Sequence, residues 1–149
     1  MRNIKFNADI KSVGLPFIVV DDGPLEGLCL LVDTGSNNNV MFNIVYEYLK
    51  EVAQGGVKEL EEKSTIYGLD GQKSVAPMLS AKLNFGGEEF KTEFLVSNND
   101  ETILQLSKDV GFDVHGIIGT NFMREHNWII DLVHQQIRCE EDEGCSDAA

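Results

Sequence analysis

Leu79, Ala81, Leu83 and Phe85 alternate with Ser80, Lys82 and Asn84. After Gly86-Gly87 the alternation resumes, with Phe90, Phe94 and Val96 set against Lys91, Glu93 and Leu95. A period of two residues puts one set on each face of a strand, so the segment predicts a two-faced hairpin closed by a glycine turn. LPFIVVDD and GLCLLVD, joined through Gly23-Pro24, predict a second hairpin that is apolar almost throughout and so buried on both faces. Its second strand runs straight into Asp33. From Val40 the apolar residues Met41, Ile44, Val45, Tyr48, Leu49 and Val52 recur at helical spacing until Gly55-Gly56, with Asn38 or Asn39 as the expected N-cap. Ile103, Leu104, Leu106 and Val110 predict a second short helix, and Thr120 to Glu125 a third. Strands in regular succession with so few helices predict an all-β chain folded as a small barrel or sandwich.

A length of 149 residues suits one domain with a tail. The expected division is a folded domain over 1–139 and a flexible acidic tail over 140–149, where EEDEGCSDAA has nothing to bury. Twelve Lys+Arg against 25 Asp+Glu give a formal charge of −13. Such a surface repels phosphate backbones and anionic lipid, so neither nucleic acid nor membrane is expected as a partner. No apolar run approaches the roughly 20 residues that span a bilayer, and MRNIKFNADIK lacks the apolar core of a secretory signal, so the expected location is cytoplasmic. Cys29 lies in an aliphatic run and is expected as a small core residue. Cys139 and Cys145 could pair with each other or with a second chain, with reduced thiols the expectation in a reducing cell. His115, His126 and His134 show no ligand spacing relative to these thiols, so no metal and no cofactor is expected.

The chemistry concentrates in Asp33-Thr34-Gly35-Ser36. An aspartate led out of an apolar strand is costly unless it is paired or used. A turn-forming Asp-Thr-Gly is the plain alternative, but context raises the segment above it: Leu28 to Val32 precede it, a polar stretch and Val40-Met41 follow, and far downstream stands Gly116-Ile117-Ile118-Gly119, leading into TNFMREHNWIIDL. Asp70, Asp113 and Asp131 lack the Thr-Gly-Ser context and are expected in turn, loop and strand-end positions.

With these residues the chain resembles the retropepsin-like aspartic proteases, single-lobe relatives of pepsin that act as homodimers. The resemblance spans roughly Leu15 to Ile137 and rests on Leu31-Val32-Asp33-Thr34-Gly35-Ser36 and Ile117-Ile118-Gly119, with Asn121-Phe122-Met123 in a following helix and Trp128-Ile129-Ile130-Asp131 in a last strand. It implies a small closed acid-protease barrel with two or three short helices. It also implies an aspartic endopeptidase in which Asp33 from each subunit supplies one of two carboxylates. Two carboxylates held close cannot both ionise, so they share a proton and divide the roles of base and acid, as aspartic proteases themselves illustrate. The chain carries one such loop, so a homodimer and a polypeptide substrate are the implied partners.

By the same resemblance Thr34 would bond across to the opposite loop, Gly35 would permit the tight turn, and Ile117, Ile118 and Gly119 would cross behind the site. A Ser36 hydroxyl within reach of the carboxylate would lower the pKa of the pair and favour acid. Lys63 to Ser74 occupies the position of the family's flap, placing Tyr67, Gly68, Leu69, Asp70 and Gly71 over bound peptide. The alternative there is an ordinary surface hairpin. Retroviral members interleave their terminal strands, whereas QQIRC leads here into an acidic tail; paired tails would repel at low salt, leaving a dimer that is weak or strengthened by acid. The rival function is a catalytically silent retropepsin-like module for peptide binding or dimerisation. Phosphoryl transfer lacks its acidic Mg²⁺ ligands and phosphate loops. Serine or cysteine catalysis lacks a nucleophile elbow around Ser36 and an electropositive setting for Cys29.

Overall fold

The computed structural model describes residues 2–7, 9–52, 56–67, 73–97 and 100–140. Of the acidic tail expected from residue 140, only Glu140 falls among them; its N–H donates to the Asn127 carbonyl at 3.0 Å.

Both hairpins form. β2 (Phe17–Val19) and β3 (Cys29–Val32) pair antiparallel, with Phe17 opposite Leu31. β6 (Lys73–Phe85) and β7 (Glu88–Ser97) pair from Met78 opposite Leu95 to Phe85 opposite Glu88. Gly86 and Gly87 join them at φ 58° and 81°, the left-handed pair that a two-residue hairpin turn requires and glycine supplies without a Cβ clash. β5 (Val57–Tyr67) adds to the far side of β6. A bulge interrupts that pairing between Glu59 and Lys63, where the partner strand carries Pro77, which has no N–H to donate.

Val40 to Phe42 depart from the helical expectation. They form β4 (Val40–Phe42), and the helix α2 (Asn43–Val52) starts only afterwards. β4 runs parallel to β7 and antiparallel to β8 (Gly116–Ile118), so tertiary pairing on both edges overrides the spacing of the apolar residues. The other helices are α1 (Ile10–Val13), which has no forecast in the sequence pattern, α3 (Asp100–Val110) and α4 (Thr120–Glu125).

The main sheet has the order β2-β3-β8-β4-β7-β6-β5. It alternates its side chains between two cores, which explains the nearly continuous apolar runs. Ile18, Leu30, Met41 and Ile118 face the larger core with Leu79, Leu83 and Phe94. Phe17, Cys29 and Phe42 face a second core closed by Ile103, Leu106 and Val110 of α3. A smaller sheet, β1-β10-β9, joins β1 (Arg2–Lys5), β10 (Gln136–Cys139) and β9 (Trp128–Asp131). Its terminal strands pair within one chain, Ile4 opposite Ile137. Trp128 meets Phe85, Phe90 and Phe122 edge-on at 5.0 to 6.0 Å, tying this sheet to the main core.

The closed barrel implied by the resemblance is not found: among the described residues the strands form two open sheets. β5 leaves β6 after Ala81, and on the strand beyond it only Asn84 makes a bridge, to Asp22 at the end of the β2 side. The Gly23 turn then carries the chain away, so closure stops at one bridge where a barrel needs a ladder. Asp21 reinforces the contact by accepting the Gly86 N–H at 2.6 Å.

Ile137 is fully buried between Ile4 and Ile130. Ile137→Ala is expected to cost about 2–5 kcal/mol in denaturant unfolding; a cost under about 1 kcal/mol would show that the terminal sheet is not coupled to the core.

Candidate active site

β3 ends at Val32, where its pairing with β8 also ends, and Asp33 follows directly. Its N–H still belongs to the sheet, donating to the Ile118 carbonyl at 3.0 Å, so the backbone of Asp33 is held by the neighbouring parallel strand. The chain then turns. Ser36 N–H donates back to the Asp33 carbonyl at 3.2 Å, and the Gly35 N–H donates to Asp33 Oδ1 at 2.8 Å. The carboxylate is therefore oriented by its own loop. It is half-exposed, with Thr34 and Gly35 exposed beside it.

Gly35 has no left-handed backbone; its requirement is space. A Cβ there would stand 3.1 Å from Asp33 Oδ1, pressing on the carboxylate the loop holds. Ser36 differs from the sequence expectation. Its hydroxyl donates to the Asn38 carbonyl at 2.7 Å, so its single proton closes the loop and is not given to the Asp33 carboxylate.

β8 threads between β3 and β4, pairing parallel with the first and antiparallel with the second. This brings Ile118 and Gly119 against the loop, while Ile117 pairs one step earlier with Leu31. Gly119 has no room for a side chain: a Cβ would lie 2.5 Å from the Asn38 carbonyl oxygen and 2.7 Å from that of Ser36. The next two N–H groups bind the loop, Thr120 to Ser36 O at 2.8 Å and Asn121 to Asn37 O at 3.1 Å. The start of α4 thus spends its otherwise unpaired donors on the loop.

Asn39 is the residue that sequence reasoning misplaced. It does not cap α2. Its side chain is buried, 9% exposed, where it accepts the Gly119 N–H at 2.9 Å and donates to the Glu93 carbonyl at 3.1 Å. Its own carbonyl accepts the Leu95 N–H at 2.9 Å. One amide thereby joins the Asp33 loop, the end of β8 and β7. The only signal in the sequence is a third amide in Asn37-Asn38-Asn39 just before an apolar run. Beside the loop, Asn37 and Asn38 open onto a cleft of about 450 Å³ that Ser80 and Asn121 also line.

Of the flap residues, Tyr67 ends β5 opposite Lys73, while Gly68, Leu69, Asp70 and Gly71 lie outside the described residues. Asp131 sits at the end of β9 and holds the following turn, accepting the His134 N–H at 3.0 Å with the His134 ring at 2.8 Å. These His134 contacts, more than nearby Arg138, keep the carboxyl below the usual carboxylate range. Burial pushes the Cys29 thiol up to about 11, which leaves it without nucleophilic character at neutral pH.

His115 clamps the opposite end of β3: its ring Nδ1 accepts the Cys29 N–H at 2.9 Å and its backbone N–H donates to the Cys29 carbonyl at 2.8 Å. An accepting Nδ1 requires the neutral ring, and burial lowers the pKa, with Asp113 opposing. His126, packed on Phe90 and Phe122 with ring centroids at 4.9 and 4.3 Å, is likewise lowered by burial, with Glu125 and Glu88 opposing.

No protein-family model and no curated protein matches the sequence. Among solved structures the chain is similar to the retroviral protease-like domain of Ddi1 from Leishmania major, with 15% identity, 93% of this chain and 90% of that chain covered, and a TM-score of 0.43.

Two outcomes follow for stability. Asn39→Leu removes both side-chain bonds and leaves the buried Gly119 N–H and Glu93 carbonyl without that partner, an expected loss of about 1–3 kcal/mol in denaturant unfolding. For both histidines the unfolded chain binds protons more readily than the folded one, so their contribution is present above the ordinary value of 6.5 and declines as pH falls below it. The unfolding midpoint should drop between about pH 7 and about pH 5, and drop less in His126→Gln.

Proposed function

We propose that the chain is an aspartic endopeptidase of the retropepsin type, active as a homodimer in which each subunit contributes Asp33. The observation that carries the reading is the Asp33 carboxylate: half-exposed at a strand end and oriented by the Gly35 N–H, in a loop fastened to β8 from behind. Carboxylate chemistry needs a carboxylate held still by groups that are not themselves titratable, and backbone N–H donors meet that need. Exposure of Thr34 and Gly35 leaves the tip of the loop accessible to a second copy related by a two-fold axis.

In the dimer one Asp33 is ionised and the other protonated. The ionised carboxylate takes a proton from a water whose oxygen forms a bond to the peptide carbonyl carbon, while the protonated carboxyl gives its proton to the carbonyl oxygen. The pair has exchanged protonation states and the intermediate carries two hydroxyls. Collapse breaks the C–N bond, one hydroxyl proton returning to a carboxylate and the amine leaving with a proton from the other. The titration belongs to the pair. Asn37 and Asn38, lining the adjacent cleft, supply neutral donors and acceptors suited to the groups of an extended peptide. The β5–β6 pair, which ends at Tyr67 opposite Lys73, would serve as the lid.

An unfolded protein should be cleaved between about pH 4 and pH 7, and Asp33→Asn should reduce turnover at least a hundredfold or about that, with the fold intact by circular dichroism. Undiminished cleavage by Asp33→Asn would remove the catalytic reading; no cleavage by either chain, with peptide still bound, would favour the silent module. Specific activity should fall on dilution in step with the solution mass, since a monomer holds half a site. Because the Ser36 proton is committed to Asn38, Ser36→Ala is expected to lower stability and leave the pH optimum in place.

A further inference from the structure

Leu28 and His115 stand at the opposite ends of β3 and β8 from Asp33 and Gly119, and there the surface turns apolar. A groove of about 580 Å³ runs between α2, α3 and the turn before β3. Its floor is buried side chains, Leu28, Leu49, Ile103 and Val114. Its walls are not: Ile44, Tyr48, Val52 and Leu104 are 53%, 63%, 56% and 55% exposed. These are four of the seven large hydrophobic side chains exposed among the described residues, gathered on one face. Scattered exposed hydrophobics are ordinary, but a contiguous set around a groove marks a contact surface.

We propose that this groove docks an amphipathic helix of another protein, one with apolar residues at i, i+3, i+4 and i+7 and with Lys or Arg on its flanks. The ten residues of α2 offer a wall about 15 Å long, enough for some three turns of such a helix. Ile44, Tyr48 and Val52, each four residues from the last, form the ridge against which those apolar residues pack.

Charge selects the occupant. Among the described residues Glu26 and Asp113 line the groove and no Lys or Arg does. Exposed Glu51 adjoins Val52 on the same helix, whereas Lys50 is turned to Glu47 at 3.2 Å and to the Tyr46 ring at 4.7 Å. A second copy of this chain would set Glu26 and Asp113 against acids of the same kind, and the chain's own acidic C-terminal segment would be repelled likewise, in a protein of formal charge −13. A basic helix satisfies both the apolar walls and the acidic rim. The site is distinct from the Asp33 loop and stands whether or not that loop is catalytic.

The test is calorimetric titration with two synthetic helical peptides that share a leucine stripe, one flanked by lysines and its twin by glutamates, against the full chain. The lysine peptide should bind at least about tenfold more tightly than its twin. The double variant Tyr48→Ser/Leu104→Ser leaves the net charge unchanged and should weaken that binding about tenfold or more, while Val133→Ser, exposed outside the groove, should not change it. Equal binding of the two peptides would overturn the proposal. So would unchanged binding in the double variant, which would mean diffuse attraction to an acidic chain. A fall in solution mass on making the double variant would also overturn it, because the groove would then be covered by a second copy.

Discussion

The passage of β8 between β3 and β4 is the constraint from which the rest follows. Gly116 and Ile117 pair on both edges at once, Ile118 with β3, and the next residue, Gly119, must pass against the backbone of the loop it supports. A methyl group at Gly119 or at Gly116 would fall within 2.7 Å of a carbonyl oxygen, so the crossing exists only where side chains are missing. What the crossing provides is a set of N–H groups aimed at the Asp33 loop, from Gly119, Thr120 and Asn121. An exposed loop that would otherwise be mobile is thereby held to the most buried part of the sheet.

The same constraint divides the molecule into two ends. At the carboxyl ends of β3 and β8 the chain presents polar groups, an oriented carboxylate and side-chain amides; at the amino ends it presents a neutral histidine clamp and an apolar groove. The double-faced core makes this polarity possible. Leu30 and Ile118 are directed into one core and Cys29 packs in the other with Leu31 and Ile117, which are partly buried, so the strands between the ends are committed to packing. Loops at strand ends are where chemistry and recognition can vary without disturbing that packing.

Acidity shapes how both ends can be used. A formal charge of −13 disfavours self-association through any face whose rim is acidic, while Thr34 and Gly35 at the tip of the Asp33 loop carry no charge. It also means that lowering the pH acts in two directions. Protonated carboxylates repel less, while His115 and His126 contribute less to stability as they take up protons.

Much was legible before any coordinates. Alternation at Leu79–Phe85 and at Phe90–Val96, with Gly86-Gly87 between, determined a hairpin because period two and a left-handed glycine pair are both local properties. The Asp33 loop stood out as an acid after an apolar strand, whereas the passage of Gly119 behind it was implied only by the family resemblance, since nothing local in Gly-Ile-Ile-Gly says which backbone it meets. What only the tertiary structure decided has its partners far away in sequence. Val40 to Phe42 carry helical spacing yet become a strand, since β7 and β8 offer pairing on both edges that a helix would forgo. Asn39 reads as a helix cap and becomes a clamp to Gly119, 80 residues on. The sheet stays open because β5 and the β2 side reach different stretches of β6. Local patterns set the direction in which each side chain points; which neighbour it meets there is settled by the packing of the whole chain.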